Sequence, residues 1–237
     1  MGGESLAFLM SQPPPHKGYK EGEGGRHPYG MGKDDDPYAL FRSWYEEWCH
    51  VCRDDGQEEN LCGLGTVDRR GLPQVRMVLL KGYGVHGFDI YTDGMSEKSM
   101  ALRHHGHGAL CFYWQAHGRQ VRVEGSVSLV PSKEADDYFA SRPRASQIGA
   151  WSSLQSRPLD NESSLRQRVH HYERHFTGQN VTRPPYHVSM GCGGWIGWRL
   201  TPLTIEFWRQ GEARLHERCL YIRPTPHHPW HHQFLYP

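Results

Sequence analysis

The sequence predicts a mainly β protein with helices, a β-barrel with helical additions. Three observations carry this expectation. From Asn60 the apolar period changes to two and holds through several segments of strand length. Short turns join these segments, as in an antiparallel meander. No G-x-x-x-x-G-K or G-x-S-x-G string occurs, so P-loop and α/β-hydrolase folds lose their main support.

The chain has 237 residues and 37% hydrophobic content, which suits one large domain or two small ones with an ordinary core. Lysine and arginine number 27 against 26 acidic residues, a formal net charge of +1. No global field therefore attracts nucleic acid or an anionic membrane, and any anion site is local. No apolar run approaches the ~18 residues of a membrane helix. The start of the chain has neither a basic n-region nor a myristoylation pattern, so the expected location is cytoplasmic. Six scattered cysteines fit a reducing compartment. Cys49-His-Val-Cys52 lacks the second ligand pair of a zinc site, and no glutamate follows His171 as in H-E-x-x-H, so no metal is expected.

Residues 1–35 hold Pro13, Pro14, Pro15 and many glycines without apolar periodicity, and are expected to form a disordered or loosely docked arm. A single domain is expected over 36–237. Asp36-Pro37 supplies an N-cap and an N1 proline for a helix whose aromatic face is Phe41, Trp44, Tyr45 and Trp48. Strands are predicted at 61–67 and 74–81, with Val75, Met77 and Leu79 on one face and Arg76, Val78 and Leu80 on the other. A turn at 82–87 leads to a strand at 88–92, and Ser96 is placed to cap a helix reaching about His105. Strands at 109–114 and 119–129 follow, the second alternating Gln120, Arg122 and Glu124 with Val121 and Val123. Ser132 is read as the cap of the next helix, and Asp160 as the start of another with a buried stripe of Leu165, Val169, Tyr172 and Phe176. A loop at 177–193, a hairpin of 194–200 with 204–208, and a last strand at 215–223 complete the reading.

The densest chemistry lies at the helix break from Tyr138 to Trp151. Arg142 precedes Pro143 and so resists the α conformation, turning the chain where Tyr138, Arg142 and Ser146 recur at spacings of four. Alone, this corner reads equally as an anion site or as solvated arginines.

Five strings together resemble the pyridoxine 5'-phosphate oxidase family: Arg76-Met-Val-Leu-Leu-Lys81, Arg119-Gln-Val-Arg-Val-Glu-Gly125, Ser141-Arg-Pro-Arg-Ala-Ser-Gln-Ile-Gly-Ala-Trp151, Glu206-Phe-Trp208 and Arg214-Leu-His-Glu-Arg218. The resemblance implies an FMN-binding split β-barrel and a homodimer with FMN at the interface, with a C-terminal dimerisation segment. It implies oxidation of pyridoxine or pyridoxamine 5'-phosphate to pyridoxal 5'-phosphate, oxygen being reduced to hydrogen peroxide. Carried over residue by residue, the FMN contacts are Arg76, Met77, Val78, Leu79, Leu80, Lys81, Tyr91, Thr92, Lys98, Gln120, Gln155, Ser156, Trp208 and Arg218. The implied substrate contacts are Lys81, Tyr138, Arg142, Ser146, Arg214, Leu215 and His216, with Arg214 and His216 as the catalytic pair. On an extended backbone Arg214 and His216 point the same way.

Two positions depart from the family pattern. Glu97 stands where the family usually has an arginine before Lys98, and Phe234 replaces an arginine near the C-terminus. They leave open a second reading, a weakened homologue that carries or senses pyridoxal phosphate.

Overall fold

The computed structural model describes residues 36–55, 58–186 and 194–237; the predicted N-terminal arm and most of the loop after Tyr186 lie outside the described residues. Helix α1 (Pro37–Asp55) begins where the sequence places it, with Asp36 Oδ1 accepting from Tyr38 N–H at 2.9 Å. Its aromatic face enters the barrel end. Phe41 meets Phe88 at 4.9 Å and Phe112 at 5.2 Å between ring centroids, and Trp44 meets Phe207 at 5.3 Å. Such edge-on pairs add about 0.5–1.5 kcal/mol each beyond burial, which makes α1 part of the core.

Strands β1 (Leu61–Val67), β2 (Pro73–Gly84) and β3 (Gly87–Asp93) lead to helix α2 (Glu97–His105). Strands β4 (His107–Trp114) and β5 (Arg119–Leu129) precede helices α3 (Ser132–Ser141), α4 (Arg144–Ser152) and α5 (Glu162–His175). Strands β6 (Trp195–Arg209), β7 (Glu217–Ile222) and β8 (His231–Leu235) complete the chain. The antiparallel order is β3-β2-β1-β4-β5-β6-β7-β8, and β3 also pairs with β6, so the first six strands close into a barrel while β7 and β8 extend it. Gly82, Gly84 and Gly87 match the G-x-G-x-x-G spacing, but they join the antiparallel strands β2 and β3 with no helix following, which is no dinucleotide-binding context.

Several expectations are corrected. The predicted hairpin within 194–208 is one continuous strand, β6, paired with β5 from Trp198 to Arg209 and with β3 from Trp195 to Leu200. Pro202 does not break it because β6 bulges beside it: Glu124 and Gly125 are consecutive on β5 but pair with Thr204 and Pro202, which leaves Leu203 as the extra residue, and proline is tolerated at such a bulge. A Cβ on Gly125 would lie 2.1 Å from Thr201 O, so the bulge requires glycine. The last predicted strand begins at Glu217, and β8 was not foreseen. Ser96 occupies the N-cap position of α2 without capping it, since its hydroxyl donates to Asp93 O at 2.8 Å. Pro131, not Ser132, precedes α3, and Asn161, not Asp160, caps α5 by accepting from Ser163 and Ser164 N–H. The α5 stripe is shallow: Leu165 is exposed, Val169 and Tyr172 are half-buried, and only Phe176, just past the helix, is buried. Among the described residues no helix is long and apolar enough to cross a membrane.

Arg223 pins the C-terminal part to the rest. It is 7% exposed and donates to Pro202 O (2.9 Å), Pro226 O (2.9 Å) and Tyr38 Oη (3.1 Å), with its guanidinium 4.2 Å from the Trp230 ring centroid.

Candidate functional site

The fold gathers the predicted residues into three groups. In the first, Arg76 on β2 donates to Leu64 O (3.2 Å) and Thr66 Oγ1 (2.6 Å). Lys98, at the start of α2, donates to Gln155 Oε1 (2.9 Å) and Thr92 Oγ1 (3.3 Å), and Thr92 donates to Gln155 Oε1 at 2.7 Å. Ser156 holds a left-handed backbone, φ 69°, and its hydroxyl accepts from Glu97 N–H at 3.3 Å. A non-glycine residue in this region costs of order 1 kcal/mol and marks a position set by its surroundings. Burial lowers the pKa of Lys98, and the nearby Arg76 charge lowers it further; burial also lowers that of Arg76. Among the described residues neither cation forms an ion pair with a carboxylate. Two partly buried cations held together in this way fit a multiply charged anion.

The second group starts at Tyr91, next to Thr92 on β3 but on the opposite face of the strand. Tyr91 stacks on Trp195 at 4.8 Å and on Tyr138 at 4.4 Å. Gly197, its partner on β6, makes room for it, since a Cβ there would meet Tyr91 Cε1 at 2.6 Å. Burial pushes the Tyr91 phenol up to about 12, with Asp89 adding to the rise. Arg142 lies 4.8 Å over Trp195, and its Nη1 is buried without a hydrogen-bond partner. Burial lowers its pKa and raises that of Tyr138. The break itself is as predicted: Arg142 is extended, φ −73° and ψ 150°, between α3 and α4. Gln147 fixes the angle between the helices by donating to Phe139 O at 2.9 Å. Ser146 is half-buried in the first turn of α4, and Lys81 is half-buried at the β2 register shift.

The third group forms a row on the barrel exterior. Gln120, Trp208 and Arg218 face one another across β5, β6 and β7. His216 packs against Trp208 at 4.6 Å, and its Nδ1 accepts from Gly211 N–H at 3.3 Å. Arg214 and Leu215 are exposed. Arg214 is not on the extended backbone expected from its spacing: Ala213 and Arg214 both have positive φ, 50° and 65°, in a tight turn before β7. Shared direction with His216 therefore cannot be read from a spacing of two. Arg218 donates to Glu206 Oε1 (2.7 Å) and Tyr236 O (3.1 Å), and the Glu206 bond raises its pKa.

Among the apolar members of the implied flavin set, Met77 is exposed and Val78 and Leu79 are half-buried. Leu80 is 3% exposed in the core, and its N–H is already bonded to Asn60 O at 2.8 Å. Its side chain serves the barrel.

Three neighbours of these groups were not singled out by sequence. Trp195 follows a loop and carries no periodic signal of its own. Arg183, in that loop, donates to Asp136 Oδ1 (2.6 Å), Trp195 O (2.7 Å) and Ser132 Oγ (2.7 Å), tying the platform to α3. Tyr113, exposed on β4 opposite Gln120, was recoverable from strand alternation.

The first two groups and the third do not meet within one chain. Trp195 and Trp208 stand near opposite ends of the 15-residue β6, a contour of roughly 40 Å at ~3.3 Å per residue.

Comparison with known proteins gives these groups a context. The family model described as pyridoxamine 5'-phosphate oxidase matches residues 51–176, and that of the pyridoxine 5'-phosphate oxidase C-terminal dimerisation region matches residues 195–237. The chain is 44% identical over 204 residues to a pyridoxine/pyridoxamine 5'-phosphate oxidase of Rhodopseudomonas palustris strain TIE-1, covering 86% of this chain and 91% of the relative. It is 42% identical over 202 residues to the enzyme of that name in Brucella canis, covering 85% and 94%. Among solved structures, PhzG from Burkholderia lata 383 in complex with tetrahydrophenazine-1-carboxylic acid superposes with a TM-score of 0.75 at 23% identity, covering 87% of this chain and 95% of that one. A pyridoxamine 5'-phosphate oxidase-related, FMN-binding protein from Nostoc punctiforme gives 0.62 at 15% identity, covering 85% and 98%. These two structures share the split barrel. With both family models, the strings and the barrel in agreement, the chain belongs to the pyridoxamine 5'-phosphate oxidase family.

Proposed function

We propose that this protein oxidises pyridoxine or pyridoxamine 5'-phosphate to pyridoxal 5'-phosphate with FMN as cofactor and oxygen as the final acceptor. The observation that carries the reading is the presence of two cation sites, Arg76 with Lys98 beside Thr92 and Gln155, and Arg142 with its unpartnered Nη1 beside the stack of Tyr138, Tyr91 and Trp195. Two sites suit two phosphate-bearing ligands whose rings lie against each other. Bound FMN would supply the acceptor for a hydride from the substrate's C4' carbon. Arg76, Lys98, Gln155 and Ser156 would hold the cofactor phosphate, each charge-assisted bond contributing about 1.5–3 kcal/mol. Lys81, Tyr138, Arg142 and Ser146 would hold the substrate phosphate. His216, with Nδ1 accepting from Gly211, keeps the proton of its neutral ring on Nε2 and so can donate towards the substrate. Arg214 would add positive charge beside it, and neither group needs to act as a nucleophile.

The distance along β6 supports a dimer, because Gln120, Trp208, Arg214, His216 and Arg218 can complete the other two groups only from a second copy. The exposed apolar side chains of Val75, Met77 and Tyr113 on the outer barrel face supply surface for that contact. The test is to purify the full chain, record a flavin spectrum, and measure peroxide release with pyridoxine 5'-phosphate. Bound flavin with turnover is expected; bound pyridoxal phosphate without flavin or turnover would favour the carrier reading.

Glu97 modulates this site. It is exposed at the first turn of α2 and lines a cavity of about 260 Å³ with Asp68, Arg69, Arg70 and Gln74. A carboxylate one residue from Lys98 weakens attraction for a phosphate dianion. Glu97→Arg is therefore expected to tighten FMN binding by about tenfold, a modest share of the ~4 kcal/mol of a close pair at an effective dielectric near 20. An unchanged dissociation constant in a fluorescence titration would refute this.

A further inference from the structure

Arg218 has little freedom. Its Nε donates to Glu206 and its Nη1 to the carbonyl of Tyr236, so two of its three nitrogens are held by the protein. Glu206 is 8% exposed, and its second oxygen accepts from Arg122 Nη1 at 3.3 Å, while Arg122 also pairs with Glu124. The carboxylate is thus fixed between two arginines on adjacent strands, two residues before Trp208 on the same face of β6. The other support comes from the chain end. The Tyr236 side chain is 91% exposed, so what this position supplies to Arg218 is its backbone carbonyl, delivered by β8 running antiparallel to β7 with Leu235 opposite Arg218.

We infer that Glu206 and the C-terminal carbonyl of Tyr236 are positioning groups for flavin binding, holding Arg218 so that one guanidinium edge meets the cofactor in the dimer. The inference rests on the reading of Arg218 as an FMN contact. A flexible arginine loses side-chain entropy when it binds, and one already held by two acceptors has lost most of it before the ligand arrives. The carboxylate also keeps the guanidinium charge from repelling Arg122.

The test is FMN affinity, measured by flavin fluorescence on full-length apo-protein, with dimer mass and apo-protein melting temperature as controls. Glu206→Ala is expected to weaken FMN binding about tenfold or more, and Glu206→Gln about threefold, since the amide oxygen still accepts but carries no charge. Deletion of residues 235–237 is expected to weaken binding, whereas Tyr236→Ala, which keeps the carbonyl, leaves it unchanged. In an Arg218→Ala background the Glu206 and deletion effects should fall below about twofold, because positioning groups act only through the residue they hold. Affinity within twofold of wild type for Glu206→Ala, or effects that persist undiminished without Arg218, would overturn the inference. If Glu206→Ala does not fold, Glu206→Gln and the deletion carry the same decision. An Arg218→Ala protein that binds FMN normally would instead remove the reading of Arg218 itself, and the inference with it.

Discussion

Replacing Arg142 with methionine is expected to raise KM for the B6 phosphate by about 100-fold while leaving kcat and the melting temperature nearly unchanged. A charge-assisted, two-bond contact to a phosphate is worth about 3 kcal/mol, which corresponds to that factor. The loss falls on KM because the phosphate is remote from the carbon being oxidised and is bound equally in ground and transition states. Stability is spared for a local reason. The guanidinium stacks on Trp195 but its buried Nη1 has no partner in the protein, so a methionine of similar reach removes an unsatisfied donor and keeps the apolar contact. Arg142→Lys should recover only part of the affinity, since an ammonium cannot make two parallel bonds. Steady-state kinetics with thermal denaturation checks both halves; an unchanged KM would remove Arg142 from the substrate site.

The largest stability effect is expected at Arg223. Substitution by methionine leaves the Pro202 carbonyl and the Tyr38 hydroxyl without their donor in a buried setting and breaks a part-buried bond to Pro226 O. At about 1–3 kcal/mol for each such group, partly relieved by relaxation, the cost is about 3–5 kcal/mol. For a domain of this size that is a melting-temperature fall of about 10 °C. The effect should be global, because Arg223 joins the start of α1, the middle of β6 and the loop before β8. A fall of under 2 °C would show that the contact is dispensable. The exposed Lys133–Asp137 pair offers a contrast: breaking it should cost less than about 0.5 kcal/mol despite its 2.6 Å separation.

The sequence by itself determined the elements whose signal is local. Periods of two placed β1 to β5, Asp36-Pro37 placed α1, and the Arg142-Pro143 dipeptide placed the break between α3 and α4, because each depends on backbone preferences within a few residues. The five strings named the family and gathered most of the implied ligands. Only the tertiary structure decided the rest. β6 runs through Pro202 because it bulges at Leu203 against β5, and the partners that set this register, Glu124 and Gly125, lie far away in the chain, beyond any local pattern. Leu80 belongs to the core although its string marks it with the ligands, since a string does not say which side chains the barrel turns inward. Arg214 takes a left-handed turn that a two-residue spacing cannot reveal, and Arg183 reaches Asp136 from 47 residues away to hold Trp195 and α3 together. The deepest of these decisions is the separation along β6: the Tyr138–Tyr91–Trp195 stack gathers near one end and the Trp208–Arg218 row near the other, because a strand is rigid and its length fixes how far apart its ends must stand.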